Sequence, residues 1–288
     1  MPYVNAREML ARARQEHYAV GQFNLNNLEC IRAFMEAAEE TRSPIILGVS
    51  GNIAKAMGGY KLIADVTRDF IDALGITVPV CLHADHGTFE QALSAAESGF
   101  TSVMYDGSHD GIEENLRRTR HLAELCHSRG LTLETEVGAV AGVEDGVSSH
   151  GECASPEDCR VMAEIGVDLL AAGIGNVHGA YPADWAGLDF GLLGEIRRVT
   201  GDTPLVLHGG SGIPEGMIRE AIRLGICKIN VNTECREAFD EATCRFVREG
   251  GADADRNHTQ LITMAHGLRA VKARCVEKMQ LFGCIGKA

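Results

Sequence analysis

The sequence predicts a single (β/α)8 barrel, and three observations predict it. Eight short β-rich runs alternate with amphipathic helix patterns along the chain. Most of these runs are continuously apolar rather than alternating, which suits parallel strands covered on both faces. Polar residues end nearly every run. Eight β–α units in about 250 residues match the size of a barrel. A doubly wound open sheet is the alternative, but it gives no reason for polar residues at nearly every strand end. A barrel does, because it brings all eight C-terminal strand ends to one face.

In order, the runs are AVGQFNL (19–25), PIILGVS (44–50), VPVCLHA (78–84), SVMYDGS (102–108), TLETEVG (132–138), LLAAGIG (169–175), PLVLHGG (204–210) and ICKINVN (226–232). Between the first two, Leu28, Ile31, Met35 and Ala38 recur at spacings of three and four, an apolar stripe for packing on a sheet. Ile112, Leu116, Ala123 and Cys126 do the same after the fourth run. Pro214 suits the first turn of the helix after the seventh, where a missing N–H costs no bond. Beyond the eighth, residues 259–283 are longer than one barrel helix needs. They carry Leu261, Met264, Leu268, Val271, Cys275 and Met279 at helical spacing, enough to cover the barrel or a neighbouring subunit. A homo-oligomer, dimer or tetramer, is expected. With 7 Pro and no Ser- or Gly-rich linker, residues 1–288 read as one domain with this helical extension.

Composition narrows the function. A chain of 288 residues, 45% hydrophobic and 23% charged, can bury one large core. A formal charge of −13 argues against nucleic acid or an anionic membrane as partner, since both need basic patches. Ten Cys are scattered without a CxxC pair, which fits reduced core thiols better than a disulfide framework or a structural zinc site. The N-terminal residues lack a hydrophobic signal core, and no apolar run approaches the roughly 20 residues that span a bilayer. A soluble, cytoplasmic protein is expected.

The most informative stretch is VPVCLHADHG (78–87), where an apolar run opens into His83, Asp85 and His86. His178 and His208 follow at two further strand ends, in GIGNVHG and PLVLHGGSG. Three imidazoles and a carboxylate converging from separate strands can bind Zn²⁺ and leave a position open for substrate. Alternatively, each His merely caps its own strand. Asp106 in MYDGSH and Glu136 in ETEVG read as groups that support the metal's ligands or as alternative metal ligands, or as solvated strand ends.

After the seventh run comes Gly209-Gly210-Ser211-Gly212, and at the eighth Asn230-Val231-Asn232-Thr233. A glycine-rich turn points backbone N–H groups at an anion, and barrels commonly hold phosphate after strands seven and eight. Residues 139–155, AVAGVEDGVSSHGECAS, are too rich in glycine and polar residues for core and carry Glu144 and Asp145. They read as an active-site lid or as an exposed acidic loop.

Taken together, GQFN, GVS, HADHG, TSVMYDGSH, EVG, GVEDG, GIGNVHG, VLHGGSGIP, KINVNTE and LFGCIGKA resemble the class II, zinc-dependent ketose-bisphosphate aldolases nearly end to end. The resemblance implies that His86, His178 and His208 hold a catalytic Zn²⁺, and that Asp106 and Glu136 match an alternative metal position. A second divalent ion and a monovalent cation beside the phosphate are implied as well. Asp85 matches the catalytic acid/base, and Glu144 the loop carboxylate that moves the dihydroxyacetone phosphate proton. Ser50, Gly179, Gly209, Gly210, Ser211, Asn230, Val231, Asn232 and Thr233 match substrate-binding positions. His83 matches a family histidine taken as supporting rather than ligating.

By the same resemblance, Asp85 takes the proton of the C4 hydroxyl, the C3–C4 bond breaks, and Glu144 protonates the resulting three-carbon enediolate. Zn²⁺ acts as Lewis acid for the developing charge. Lys228 lies two residues before Asn230 and so faces the same side of its strand, which leaves a Schiff base open by spacing. The three histidines would then be unexplained.

The chain departs from the family where the far phosphate is gripped. Asp-Pro-Arg is usual there, and this chain has Asp253-Ala254-Asp255-Arg256-Asn257-His258, with Arg256 placed to keep the contact. Asn232 resembles fructose-type enzymes, whereas tagatose-type enzymes tend to have alanine. The segment Asn232 to Cys235 also resembles inositol-catabolic aldolases. Fructose 1,6-bisphosphate is therefore expected first, a tagatose-type substrate second, and another phosphorylated or acidic ketose third. A non-catalytic aldolase partner subunit is the reading from another class, but such a subunit should have lost part of the ligand set kept here.

Overall fold

The structure, a computed structural model, describes residues 2–108, 110–144, 146–251 and 260–288. Its strands are β1 (Val20–Asn24), β2 (Ile45–Ser50), β3 (Val80–Gly87), β4 (Ser102–Tyr105), β5 (Thr132–Val137), β6 (Ala141–Glu144), β7 (Val147–Ser149), β8 (Leu169–Ala172), β9 (Val177–His178), β10 (Leu205–Leu207) and β11 (Ile226–Val231). Eight of them close a barrel in the order β1-β2-β3-β4-β5-β8-β10-β11, every pair parallel. Each predicted run coincides with one barrel strand, β3 alone extending past the end of its run. The strands are buried on both faces because helices cover the outside and side chains fill the inside.

The helices follow from local signals. α1 (Arg7–Glu16) precedes the first strand. Arg7 pairs with Asp168 at 2.7 Å and Asn5 donates to the Gly130 carbonyl at 2.8 Å, so this segment crosses the N-terminal strand ends. α2 (Glu29–Thr41) buries Ile31, Met35 and Ala38 as its stripe requires. α3 (Gly51–Ala56) and α4 (Tyr60–Leu74) follow β2. α5 (Phe89–Glu97) starts at a capping box in which Thr88 and Gln91 satisfy each other's backbone N–H groups.

α6 (Ile112–Ser128) buries Asn115, Thr119, Leu122, Ala123 and Cys126. The stripe runs partly through polar residues, and Ile112, expected on it, sits at the open first turn and is exposed. α7 (Pro156–Ile165) is capped by Ser155 with Pro156 at its start, and α8 (Phe190–Val199) by Asp189. α9 (Glu215–Arg223) begins one residue later than expected, with Pro214 as its N-cap. α10 (Thr233–Arg248) follows the last barrel strand. α11 (Gln260–Phe282) packs against α2, α10 and β1. It buries Val271, Cys275 and Met279, while Leu261 is exposed.

Two departures shape the site. β3 was expected to stop at Ala84 and instead runs to Gly87, because its pairing with β4 slips from Ala84↔Val103 to Gly87↔Tyr105. One extra residue on β3 makes a bulge. His86 sits in it at φ 48°, a left-handed conformation that a non-glycine residue adopts only under constraint. Residues 139–155 were expected as a plain loop. They contain the hairpin β6–β7, and β6 also pairs in parallel with β9 through Ala141↔Val177 and Gly142↔His178. Gly142, at φ 100°, permits this approach, since a Cβ there would lie 2.2 Å from the His178 carbonyl oxygen.

All ten cysteines are free thiols, eight of them buried. No described helix is long and apolar enough to cross a membrane.

Candidate metal and catalytic site

His86 from β3, His178 from β9 and His208 just past β10 converge at the C-terminal mouth of the barrel. One ring nitrogen from each lies within 4.8 Å of the others. His86 Nε2 and His208 Nδ1 are 2.7 Å apart. The opposite nitrogens are already engaged: His208 Nε2 donates to Glu134 Oε1 at 2.8 Å, and His86 Nδ1 faces Asp106 Oδ2 at 3.2 Å. Carboxylates behind two imidazoles fix their tautomers and turn their lone pairs inward, the arrangement of histidine metal ligands. Ser108 holds Asp106 in turn, donating to Oδ1 from both Oγ and backbone N–H.

The electrostatics call for a cation. Burial opposes charge on His86, but its hydrogen bond to Asp106 and the charges of Asp85 and Glu136 outweigh it and raise its pKa well above the usual value. Burial and the neighbouring His86 push His178 and His208 down. Glu136 is raised to about 8 by burial and by Asp106, and its buried Oε2 has no hydrogen-bond partner. His86, Asp106 and Glu136 form a second group whose ligand atoms lie within 4.8 Å. Three imidazoles and two carboxylates, one of them with an orphaned oxygen, fit a divalent cation, with the carboxylate group as the alternative position.

Asp85 lies beside His86 and is almost fully buried. Its carboxylate accepts from Asn24 Nδ2 at 2.8 Å and from Asn230 Nδ2 at 3.2 Å. Burial alone would raise its pKa, yet the charges of His86 and Lys228 hold it well below the carboxylate range. At neutral pH it is therefore ionised.

His83 falls in neither group of candidate ligands. It is fully buried, its Nδ1 faces Ser102 Oγ at 2.7 Å, and burial together with Lys228 lowers its pKa to about 4, so it is neutral.

The expected phosphate residues line a cavity next to this centre. Gly179, Gly209, Ser211, Asn230, Asn232 and Thr233 share it with Asp85, His86 and His178. The glycine turn provides fewer N–H groups than expected. Gly210 N–H donates to the Asn230 carbonyl and Gly212 N–H to Glu234, so both tie the turn to β11 and α10. Gly210 matters instead for space, because a Cβ there would lie 2.7 Å from the Asn230 carbonyl oxygen. Val231 is fully buried in the core and lines neither this cavity nor the wider one beside it. Ser50 ends β2 and lines a wider cavity that meets the first at His178, Gly179 and Asn232. Glu144 ends β6, on the hairpin over His178. Its side chain and Arg256 lie outside the described part of the chain, as does Asp145.

The family model "Fructose-bisphosphate aldolase class-II" matches residues 4–287. The chain belongs to that family. This aldolase is 45% identical to the fructose-bisphosphate aldolase of Streptococcus pneumoniae serotype 4 and 44% identical to that of Streptococcus pyogenes serotype M1, with 100% of each chain covered in both cases. Among solved structures, the YdjI aldolase from Escherichia coli K12 matches with a TM-score of 0.85 at 32% identity, covering 99% of each chain.

Sequence reasoning left three parts of this aldolase's site unassigned. Asn24 stood in the GQFN motif without a role, and it is one of the two amides on Asp85. Glu134 lies two residues before Glu136 and so faces inward as well. An acid at that register of an apolar strand was the available signal. Lys228 Nζ pairs with Glu134 Oε2 at 2.8 Å and donates to Asn230 Oδ1 at 2.9 Å. That bond orients the Asn230 amide so that its NH₂ faces Asp85. With its ammonium so engaged and its side chain fully buried, Lys228 is no Schiff-base nucleophile. It links His208, through Glu134, to Asp85, through Asn230.

Proposed function

We propose that this aldolase cleaves fructose 1,6-bisphosphate to dihydroxyacetone phosphate and glyceraldehyde 3-phosphate, and condenses them in reverse. The observation that carries the reading is the set of three inward-turned imidazoles beside an ionised Asp85 held by two amides. The chain's 45% identity to enzymes named for this substrate supports it.

His86, His178 and His208 would hold Zn²⁺, which supplies a Lewis acid for the negative charge that develops at the ketone oxygen. Asp85 accepts the C4 hydroxyl proton as the C3–C4 bond breaks, and Asn24 and Asn230 keep its carboxylate aimed. Glu144, on the hairpin, returns a proton to the three-carbon fragment. Ser211, Asn232 and Thr233 hold the phosphate of that fragment, near a site for a monovalent cation, and Asp106 with Glu136 offers the second divalent position. Residues 1–288 act as one catalytic domain. A cytoplasmic homo-oligomer completes the reading, supported by ten free thiols and by the exposed Leu261 end of α11.

The deciding experiment measures zinc content together with retro-aldol turnover of fructose and tagatose bisphosphates. Stoichiometric zinc and a preference for the fructose substrate are expected. A zinc-loaded protein that cleaves neither would sink the proposal. Light scattering that showed only monomer at micromolar concentration would remove the oligomer.

A further inference from the structure

Two of the three converging imidazoles have a carboxylate behind them, Asp106 at His86 and Glu134 at His208. Among the described residues, the His178 ring packs edge to face on His86 and His208 and has no hydrogen-bonded carboxylate. Its place is therefore set by its backbone. The barrel ladder does not reach that far: β8 and β10 pair through Leu205↔Leu170 and Val206↔Ala171, and both His178 and His208 lie beyond the last of these pairs.

Past that point, two side chains join the strand ends. Asn176, buried, accepts from Ile174 N–H at 2.9 Å and donates from Nδ2 to the His208 carbonyl at 3.0 Å. Tyr181 uses its hydroxyl twice, accepting from Val177 N–H at 3.1 Å and donating to the Gly209 carbonyl at 2.8 Å. Val177 precedes one imidazole and Gly209 follows the other, so a single hydroxyl spans the gap between their backbones. The approach there is close: Gly209 takes φ 66°, and a Cβ on it would lie 2.1 Å from the Val177 carbonyl oxygen. Trp185 holds the phenol in place. Its ring centroid lies 4.2 Å from that of Tyr181, and its Nε1–H donates to the Gly175 carbonyl at 2.7 Å.

We propose that Tyr181 is a positioning residue that sets the spacing of His178 and His208 and, through Gly209, the seat of the turn expected to hold phosphate. This rests on the zinc aldolase reading above. A metal centre gains affinity from ligands already held at the right separation, because ordering them on binding costs free energy. Without the hydroxyl, an amide N–H and a carbonyl lose their partner, and the turn is free to drift from β9.

The test measures Zn²⁺ affinity by competition with a chelator in the wild type, Tyr181→Phe, Trp185→Phe and, as a control, Tyr3→Phe. Tyr3 also donates its hydroxyl to a carbonyl, that of Gly99 at 2.7 Å, but it sits at the start of β3. Tyr181→Phe should weaken zinc binding roughly 10-fold, the effect of losing a group that orients a ligand. It should also change the visible absorption of the Co²⁺-loaded protein, which reports ligand geometry. At saturating zinc, its KM for dihydroxyacetone phosphate in condensation should rise while that for glyceraldehyde 3-phosphate stays. Trp185→Phe, which loosens the phenol but keeps its hydroxyl, should show the same changes at smaller size, and Tyr3→Phe none of them. Unchanged zinc affinity in Tyr181→Phe would overturn the inference even if the metal-free protein melted lower, since the hydroxyl would then serve the fold alone. A wild type that binds no zinc would overturn the functional reading and this inference with it.

Discussion

Replacing Lys228 with Met tests whether one buried ion pair organises both halves of the site. Lys228 and Glu134 are fully buried and 2.8 Å apart. The substitution keeps the volume but leaves a carboxylate in the barrel interior without its counter-charge. Breaking one side of a buried pair costs about 3–5 kcal/mol. At roughly 2–4 °C per kcal/mol for large domains, the melting temperature should fall on the order of 10 °C. Two functional losses should accompany this. Glu134 would hold His208 less firmly, so zinc affinity, measured by competition with a chelator, should fall about 10- to 100-fold. Asn230, freed from Lys228, would no longer be constrained to present its NH₂ to Asp85, so kcat should fall even at saturating zinc. Adding Glu134→Gln removes the stranded charge, and the double variant should recover about 2 kcal/mol of the lost stability. A Lys228→Met protein with unchanged melting and zinc affinity would refute the linkage, as would a double variant less stable than the single.

Dialysis against a chelator should abolish turnover, and Zn²⁺ or Co²⁺ should restore it; full activity in metal-free protein would overturn the metal assignment. Asp85→Ala should lose cleavage, by about 10²–10⁴-fold, yet still exchange the dihydroxyacetone phosphate proton with deuterated solvent. Glu144→Ala should lose that exchange while binding zinc normally. If Asp85→Ala lost exchange as fully as cleavage, the division of roles would be wrong. Acid should remove two contributions to the stability of the metal-free protein in two stages, against the gain that protonating Glu136, raised to about 8, brings between pH 8 and 4.5. Burial, aided by Lys228, lowers folded His83 to about 4, so the unfolded chain binds more protons there as pH falls from 6.5, and the contribution of His83 is lost toward pH 4. Burial works against ionised Glu134, but Lys228 and His83 outweigh it and hold it down to about 2, so its contribution is lost between pH 4.5 and 2. Thermal melts of His83→Asn should flatten the first stage, and an unchanged slope there would exclude His83 as its source.

By itself, the sequence determined the barrel and most of its mouth. Continuous apolar runs can be satisfied only when both faces are covered, and eight of them alternating with amphipathic stripes leave few architectures. The polar residues at their ends, among them His86, His178, His208 and Asp85, then had to share one rim. Tertiary structure decided what those groups do to one another. The bulge that turns His86 to φ 48° is a property of two strands in register, so no local pattern announces it. The hairpin of residues 139–155 read as loop because β6 gains its partner from β9, more than thirty residues on. Gly210 looked like a donor of N–H groups and proved to be a spacer, since β11 had already taken its hydrogen. Glu134, Lys228 and Asn24 went unassigned for a common reason. A buried polar group acquires its meaning from the partner it faces across the barrel, and only the closed fold brings Glu134 to His208, Lys228 to Glu134 and Asn24 to Asp85.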